Sequence, residues 1–133
     1  MKINPGYITE NLKESKEFYQ KYLNFEVKFE NEFYLLLENK NAIGNFEISF
    51  LQPNHPTQTN IFQKKYSSGS YLTIEVPNVD EEYEKLKKLG CEIVLEIKDE
   101  VWGDRHFVIQ DPNGLGIDLV TYSGGNQWTI GRV

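Results

Sequence analysis

At 133 residues the chain amounts to about one ordinary domain, long enough to bury roughly two-thirds of its unfolded surface. Twenty acidic against fourteen basic side chains give a net charge of −6 and a pI near 5.0, which argues against the basic stripe of a nucleic-acid footprint. No apolar run approaches a membrane span, MKINPGYITENLKE lacks the apolar core of a signal peptide, and the single Cys91 excludes an internal disulfide. A cytoplasmic protein is therefore expected.

In chain order, INPGYI reads as a short strand, with Ile3 packed and Asn4 on the opposite side. Asn11 is placed to cap the helix that follows, with Glu14 completing a capping box. Leu12, Phe18, Tyr19, Tyr22 and Leu23 recur at helical spacing to form one apolar face. Three strand candidates come next, FEVKFE, EFYLLLE and NFEISFL. In the last, Phe46, Ile48 and Phe50 alternate with Glu47 and Ser49. PNHPTQTNIFQKKYSSGS is rich in turn formers and reads as a connector, with a short helical turn expected over IFQKKY.

The grammar then repeats. YLTIEV is a strand whose Leu72, Ile74 and Val76 pack while Tyr71, Thr73 and Glu75 face the other way. Asn78 caps the second helix, Glu81 sits three residues on, and Val79, Tyr83, Leu86 and Leu89 form its apolar stripe. Asn11 to Asn78 and Glu14 to Glu81 are both separations of 67, which is the signature of an internal repeat. The strand candidates CEIVLEI, RHFVIQ and GIDLVTY close the second half. Cys91 reads as a small packed residue in the first of them, since no base can be placed beside it. Between the last two, Asp111-Pro112-Asn113-Gly114 is a hairpin turn that fixes the register of Asp118.

The fold class that follows is α+β: two tandem βαβββ modules forming a curved, cleft-enclosing mixed sheet with the helices on its outer face. The boundaries are 1–52 for the first module, 53–69 for the connector, 70–123 for the second module and 124–133 for a tail, all within a single domain. Alternation gathers Asn4, Glu47, Ser49, Tyr71, Thr73, Glu75 and Asp118 on the helix-free side, a polar surface with aromatic walls of the kind a small-molecule site requires.

This order of fragments resembles the vicinal oxygen chelate superfamily, which includes glyoxalase I, the bleomycin resistance proteins and the extradiol dioxygenases. The resemblance rests on Ser15-x-x-Phe18-Tyr19, Leu23-Asn24-Phe25, Leu89-Gly90 and Trp102-Gly103-x-Arg105-x-Phe107, leading into the turn at Asp111. Metalloenzymes of that superfamily hold a metal on four strand positions, commonly His or Glu. Here those positions carry Asn4, Glu47, Tyr71 and Asp118. Two carboxylates without imidazole suit neither zinc nor iron, so no metal and no other cofactor is expected. The alternative is a hard divalent ion on Glu47 and Asp118. His55 falls in the connector and His106 in a strand beside Arg105, and both read as surface or packed histidines.

Acids sharing a cleft repel unless one is protonated or something positive sits between them; a cationic ligand is one such partner, and a bridging water or pairing with Arg105 is another. The resemblance to the bleomycin-resistance branch, which binds bulky and often basic drugs without chemistry, therefore implies sequestration of a planar or cationic organic ligand. Asn4, Glu47, Ser49, Tyr71, Thr73, Trp102, Arg105 and Asp118 are the ligand-binding candidates. Whether the protein is also an enzyme stays open: the alternative is a lyase- or dioxygenase-like member using Glu47 or Asp118 as metal ligand or general base, and no catalytic residue is assigned. Trp128, in the tail, would cap the cleft or pack on a partner subunit. By analogy with the fold, the expected assembly is a homodimer, with a small molecule as partner and neither nucleic acid nor membrane.

Overall fold

The computed structural model describes residues 1–122; the tail with Trp128 lies outside the described residues. The chain divides into two compact units, Met1–Ser68 and one beginning at Gly69.

In the first unit β1 (Gly6–Ile8) leads into α1 (Leu12–Leu23), then β2 (Glu26–Glu30), β3 (Tyr34–Lys40) and β4 (Asn45–Leu51). The strands lie in the order β1-β4-β3-β2. β1 runs parallel to β4, and the other neighbours are antiparallel. The second unit repeats this with β5 (Tyr71–Glu75), α2 (Val79–Lys88), β6 (Leu95–Asp99), β7 (Asp104–Gln110) and β8 (Gly116–Tyr122), in the order β5-β8-β7-β6. Each unit is thus a βαβββ module, and the fold is α+β. Among the described residues no helix is long and apolar enough to cross a membrane.

α1 buries Ser15, Tyr19 and Leu23, one residue per turn, against β2, β3 and β4. Tyr19 meets Phe25 edge-on with ring centroids 5.6 Å apart and lies 5.5 Å from Phe50. Tyr19 and Phe50 are fully buried, and burying an aromatic of this size contributes about 1.5–3 kcal/mol. In the second module α2 lowers Val79, Tyr83 and Leu86 onto the sheet, and Tyr83 stands edge-on to Phe107 at 5.2 Å.

The helix ends show how far the repeat extends. Asn78 accepts the Glu81 backbone N–H at 3.2 Å, so it caps α2 as its position implies. Asn11 occupies the equivalent place before α1, but its side chain makes no cap hydrogen bond. Its own backbone N–H donates to Thr9 Oγ1 instead, and the capping-box expectation fails there. At the other end both helices stop on a left-handed residue, Asn24 at φ 56° and Gly90 at φ 84°.

Other expectations need correction. Ile3 precedes β1 and is 84% exposed rather than packed, because the strand begins at Gly6. Phe46, near the start of β4, is half exposed, and Leu89, just past the end of α2, is exposed as well. Cys91 is buried as expected but lies between α2 and β6, not in a strand. The helical turn in the connector is a single 3-10 turn at Asn60–Phe62.

Candidate functional site

Most of the candidate residues lie on the face of each sheet turned away from its helix. In β4, Ile48 and Phe50 point to α1, so Glu47 and Ser49 point the other way. The register sets Glu38 opposite Glu47 and Ser49 opposite Gly6. Two residues back along both parallel strands, Asn4 comes into line with Glu47 and donates from Nδ2 to its Oε1 at 3.4 Å. Gly6 lets the strands approach closely here: a Cβ on it would stand 2.9 Å from Ser49 Oγ, which would have to shift.

Glu47 does not stand on the helix-free face unaccompanied. Lys2 Nζ and Lys28 Nζ each donate to Glu47 Oε2 at 2.6 Å. These bonds, that from Lys2 foremost, hold the Glu47 carboxyl below the usual carboxylate range against the opposing effect of burial. Lys28 is raised in return by its bond to Glu47. It also stands 3.8 Å from Glu38 Oε2, a buried oxygen with no hydrogen-bond donor, while Lys40 reaches Glu38 Oε1 at 3.3 Å.

The second module has a different solution. The Asp111 turn closes the β7–β8 hairpin: its Oδ1 accepts the Asn113 and Leu115 backbone N–H groups, and Gly114 takes φ 83°. That register sets Val108 opposite Asp118 and His106 opposite Val120, all on the helix-free face, because Phe107 and Ile109 are fully buried on the other. His106 lies between two carboxylates, with Nδ1 2.7 Å from Asp118 Oδ1 and Nε2 2.9 Å from Glu100 Oε2. Burial depresses its basicity, but the bonds to Glu100 and Asp118 outweigh that and raise its pKa above 6.5. The same contact, with help from Lys98, holds Glu100 low.

His106 is the residue that sequence reasoning missed. It is packed, as one of the two readings had it, but it also contacts two carboxylates that the sequence reading did not assign to it. The signal was present in the alternation, since a packed Phe107 turns His106 toward the face of Asp118. Lys2 shares the parity of Asn4 and could have been found likewise. Lys28 could not, since its reach to Glu47 depends on the position of the irregularity between Val27 and Phe29.

The remaining candidates separate. Thr73 opposes Asp118 in the β5–β8 register, whereas Tyr71 opposes Gly116, so Thr73 rather than Tyr71 stands to Asp118 as Asn4 stands to Glu47. Tyr71 is 73% exposed. Trp102 is half exposed in the turn before β7, and its indole N–H donates to Asp104 Oδ2 at 3.0 Å. Arg105 leaves the set. It opposes Thr121 on the helix side, grips both oxygens of Asp80 in the first turn of α2 at 3.0 and 2.8 Å, and reaches Asp99 at 3.1 Å. That clamp lowers the Asp80 pKa and raises that of Arg105. A hollow of about 290 Å³ lies between α1 and the β2–β3 turn, away from Glu47 and Asp118.

The donors at the superfamily's metal positions do not fit a metal. Glu47 is engaged by two ammonium groups and an amide, Asp118 by an imidazole, and Asn4, Tyr71 and Thr73 are neutral. Among the described residues no three His, Cys, Asp or Glu side chains are grouped to hold one. The same pairs weaken the premise of the cationic-ligand expectation, since Glu47 already holds two ammonium groups and Asp118 an imidazole from its own module.

None of the curated proteins matches the chain. Solved structures share its fold. A glyoxalase/bleomycin resistance protein/dioxygenase from Nocardioides aligns at 19% identity and TM-score 0.73, over 94% of this chain and 85% of its own. A bleomycin-binding protein complexed with bleomycin aligns at 17% and 0.66, over 91% and 98%. Lactoylglutathione lyase from Agrobacterium tumefaciens aligns at 14% and 0.70, over 90% and 92%. The family model described as Glyoxalase/Bleomycin resistance protein/Dioxygenase superfamily matches residues 4–119, and with the doubled βαβββ architecture this places the chain in that superfamily.

Proposed function

We propose that the protein binds and sequesters a small organic molecule on the helix-free faces of its modules without a metal, in the manner of the bleomycin-binding relatives. One observation carries this reading: at both carboxylate positions the chain's own basic side chains take the place a metal would need, Lys2 and Lys28 at Glu47 and His106 at Asp118. Tyr71 and Trp102, exposed at the edge of the second module's face, supply aromatic surface for a planar ligand. The contact set is Asn4, Glu47, Ser49, Thr73, Asp118, Tyr71 and Trp102, with Lys2 and Lys28 added and Arg105 withdrawn. The protein acts in the cytoplasm as a homodimer.

A second reading, a metal-free enzyme of the superfamily, is favoured by the His106 dyad. An imidazole bridging Glu100 and Asp118 fixes one oxygen of Asp118 and leaves the other as a general base. Native mass spectrometry of protein purified without chelator, with elemental analysis, tests the main proposal. The expected result is a dimer with a small organic adduct and metal far below one ion per chain. A stoichiometric divalent metal would overturn it. Recovery of the released ligand unchanged after incubation separates binding from catalysis.

A further inference from the structure

The groups around Glu47 are sorted by depth. The carboxylate side chains of Glu47 and Glu38 are 5% and 11% exposed, whereas Lys2, Lys28 and Lys40, which pair with them, are 49%, 44% and 69% exposed. The carboxylates form a floor and the ammonium groups a rim, so a ligand arriving from solvent meets positive charge first. At the centre of the rim the charges do not balance. Lys2 and Lys28 both donate to the single oxygen Oε2, and with Lys40 three ammonium groups face the two carboxylates of Glu47 and Glu38.

The ammonium groups of Lys2 and Lys28 repel each other, and each carries three N–H donors, of which the floor engages only part. A second anion between them would relieve the repulsion and take up the remaining donors. Glu26, opposite Glu38 in the register, enters none of these pairs and is exposed on the edge strand, so it does not fill that position.

We infer that the helix-free face of the first module is an anion-accepting subsite, and that the protein's ligand is an organic oxyanion, a carboxylate or phosphate ester, held between Lys2 and Lys28. This rests on the small-molecule reading above and names its ligand class, reversing the charge that the acidic residues alone suggest.

Three aromatic probes of similar shape and different charge test it: benzoate, benzamide and benzylammonium, each titrated into the full chain and followed by backbone amide chemical shifts. Benzoate is expected to move the amides around Lys2, Lys28 and Glu47 and to bind roughly fivefold or more tightly than benzamide at low salt. Raising the ionic strength should erase that preference. Lys28→Gln should remove most of it; Lys2→Gln, altering a half-exposed side chain ahead of β1, repeats the test if the first variant folds poorly. Benzylammonium binding that face as well as benzoate does, or a benzoate preference untouched by both variants, would overturn the inference while leaving the small-molecule reading standing. If no probe moves a resonance on either helix-free face, both readings fall together.

Discussion

The two modules share one architecture and answer the same electrostatic problem differently. Each carries an acid on the last strand of its sheet, turned away from its helix. The first neutralises Glu47 with two lysines, which are charged at any pH the protein meets. The second neutralises Asp118 with His106, which is not. A duplicated fold thus keeps its core symmetric and differentiates on the face where packing leaves residue choice free.

The largest test concerns the shared core. Phe50→Ala and Phe107→Ala remove equally buried rings from under α1 and α2, and each should cost about 3–5 kcal/mol in urea denaturation. Losses differing by more than about 2 kcal/mol would show that the cores are not energetic equivalents.

A smaller contrast lies between the parallel strand pairs. Gly6→Ala drives a Cβ to 2.9 Å from Ser49 Oγ and should destabilise by about 1–3 kcal/mol through overpacking. Gly116→Ala meets only Tyr71 Cβ at 3.9 Å and should stay within about 0.5 kcal/mol. Equal effects would mean that β1 and β5 pack alike.

Smaller again is the difference at the caps. Asn78→Ala gives up a hydrogen bond to Glu81 N–H and should cost about 1 kcal/mol, whereas Asn11→Ala, with no such bond, should cost a few tenths, about 0.3 kcal/mol. Thermal unfolding of the two variants decides it.

The subtlest contrast is the pH dependence of stability. Glu47 and Glu100 are lowered from 4.5, so their contributions are present above that value and vanish as pH falls through their shifted pKa values, weakening both modules in acid. His106 is raised above 6.5, so its contribution is complete below 6.5 and fades as pH rises through its shifted value. The second module therefore loses this contribution as pH rises beyond 6.5, whereas the corresponding base of the first module, Lys28, is raised from 10.5 and keeps its contribution up to that value. His106→Gln should flatten that limb of the stability curve, and Lys28→Gln should leave it unchanged.

Much of this was legible in the sequence, for identifiable reasons. The separation of 67 between Asn11 and Asn78 exposed the repeat, and alternation about Ile48, Phe50, Ile117 and Leu119 set Glu47 and Asp118 on the helix-free faces, because burial of one face imposes a period of two. The superfamily resemblance rested on those same elements. The partners of the acids were harder to find. Lys28 reaches Glu47 across a strand pairing whose register shifts between Val27 and Phe29, and no local pattern encodes that. Tyr71 was assigned to the position matching Asn4 by the superfamily resemblance, but the β5–β8 register brings Thr73 to Asp118 instead. Arg105 was drawn to the site by its charge, although its parity with Phe107 assigned it to the helix side.

The contrast between the two faces is tested most directly by a titration followed by NMR between about pH 5 and 9, reading the His106 ring together with the amides around Glu47 and Asp118. The account predicts that His106 titrates at a higher midpoint in the native protein than in urea, that the Asp118 region moves with it, and that the Glu47 region stays flat. A native midpoint at or below the urea value, or a Glu47 region that moves with His106, would contradict it.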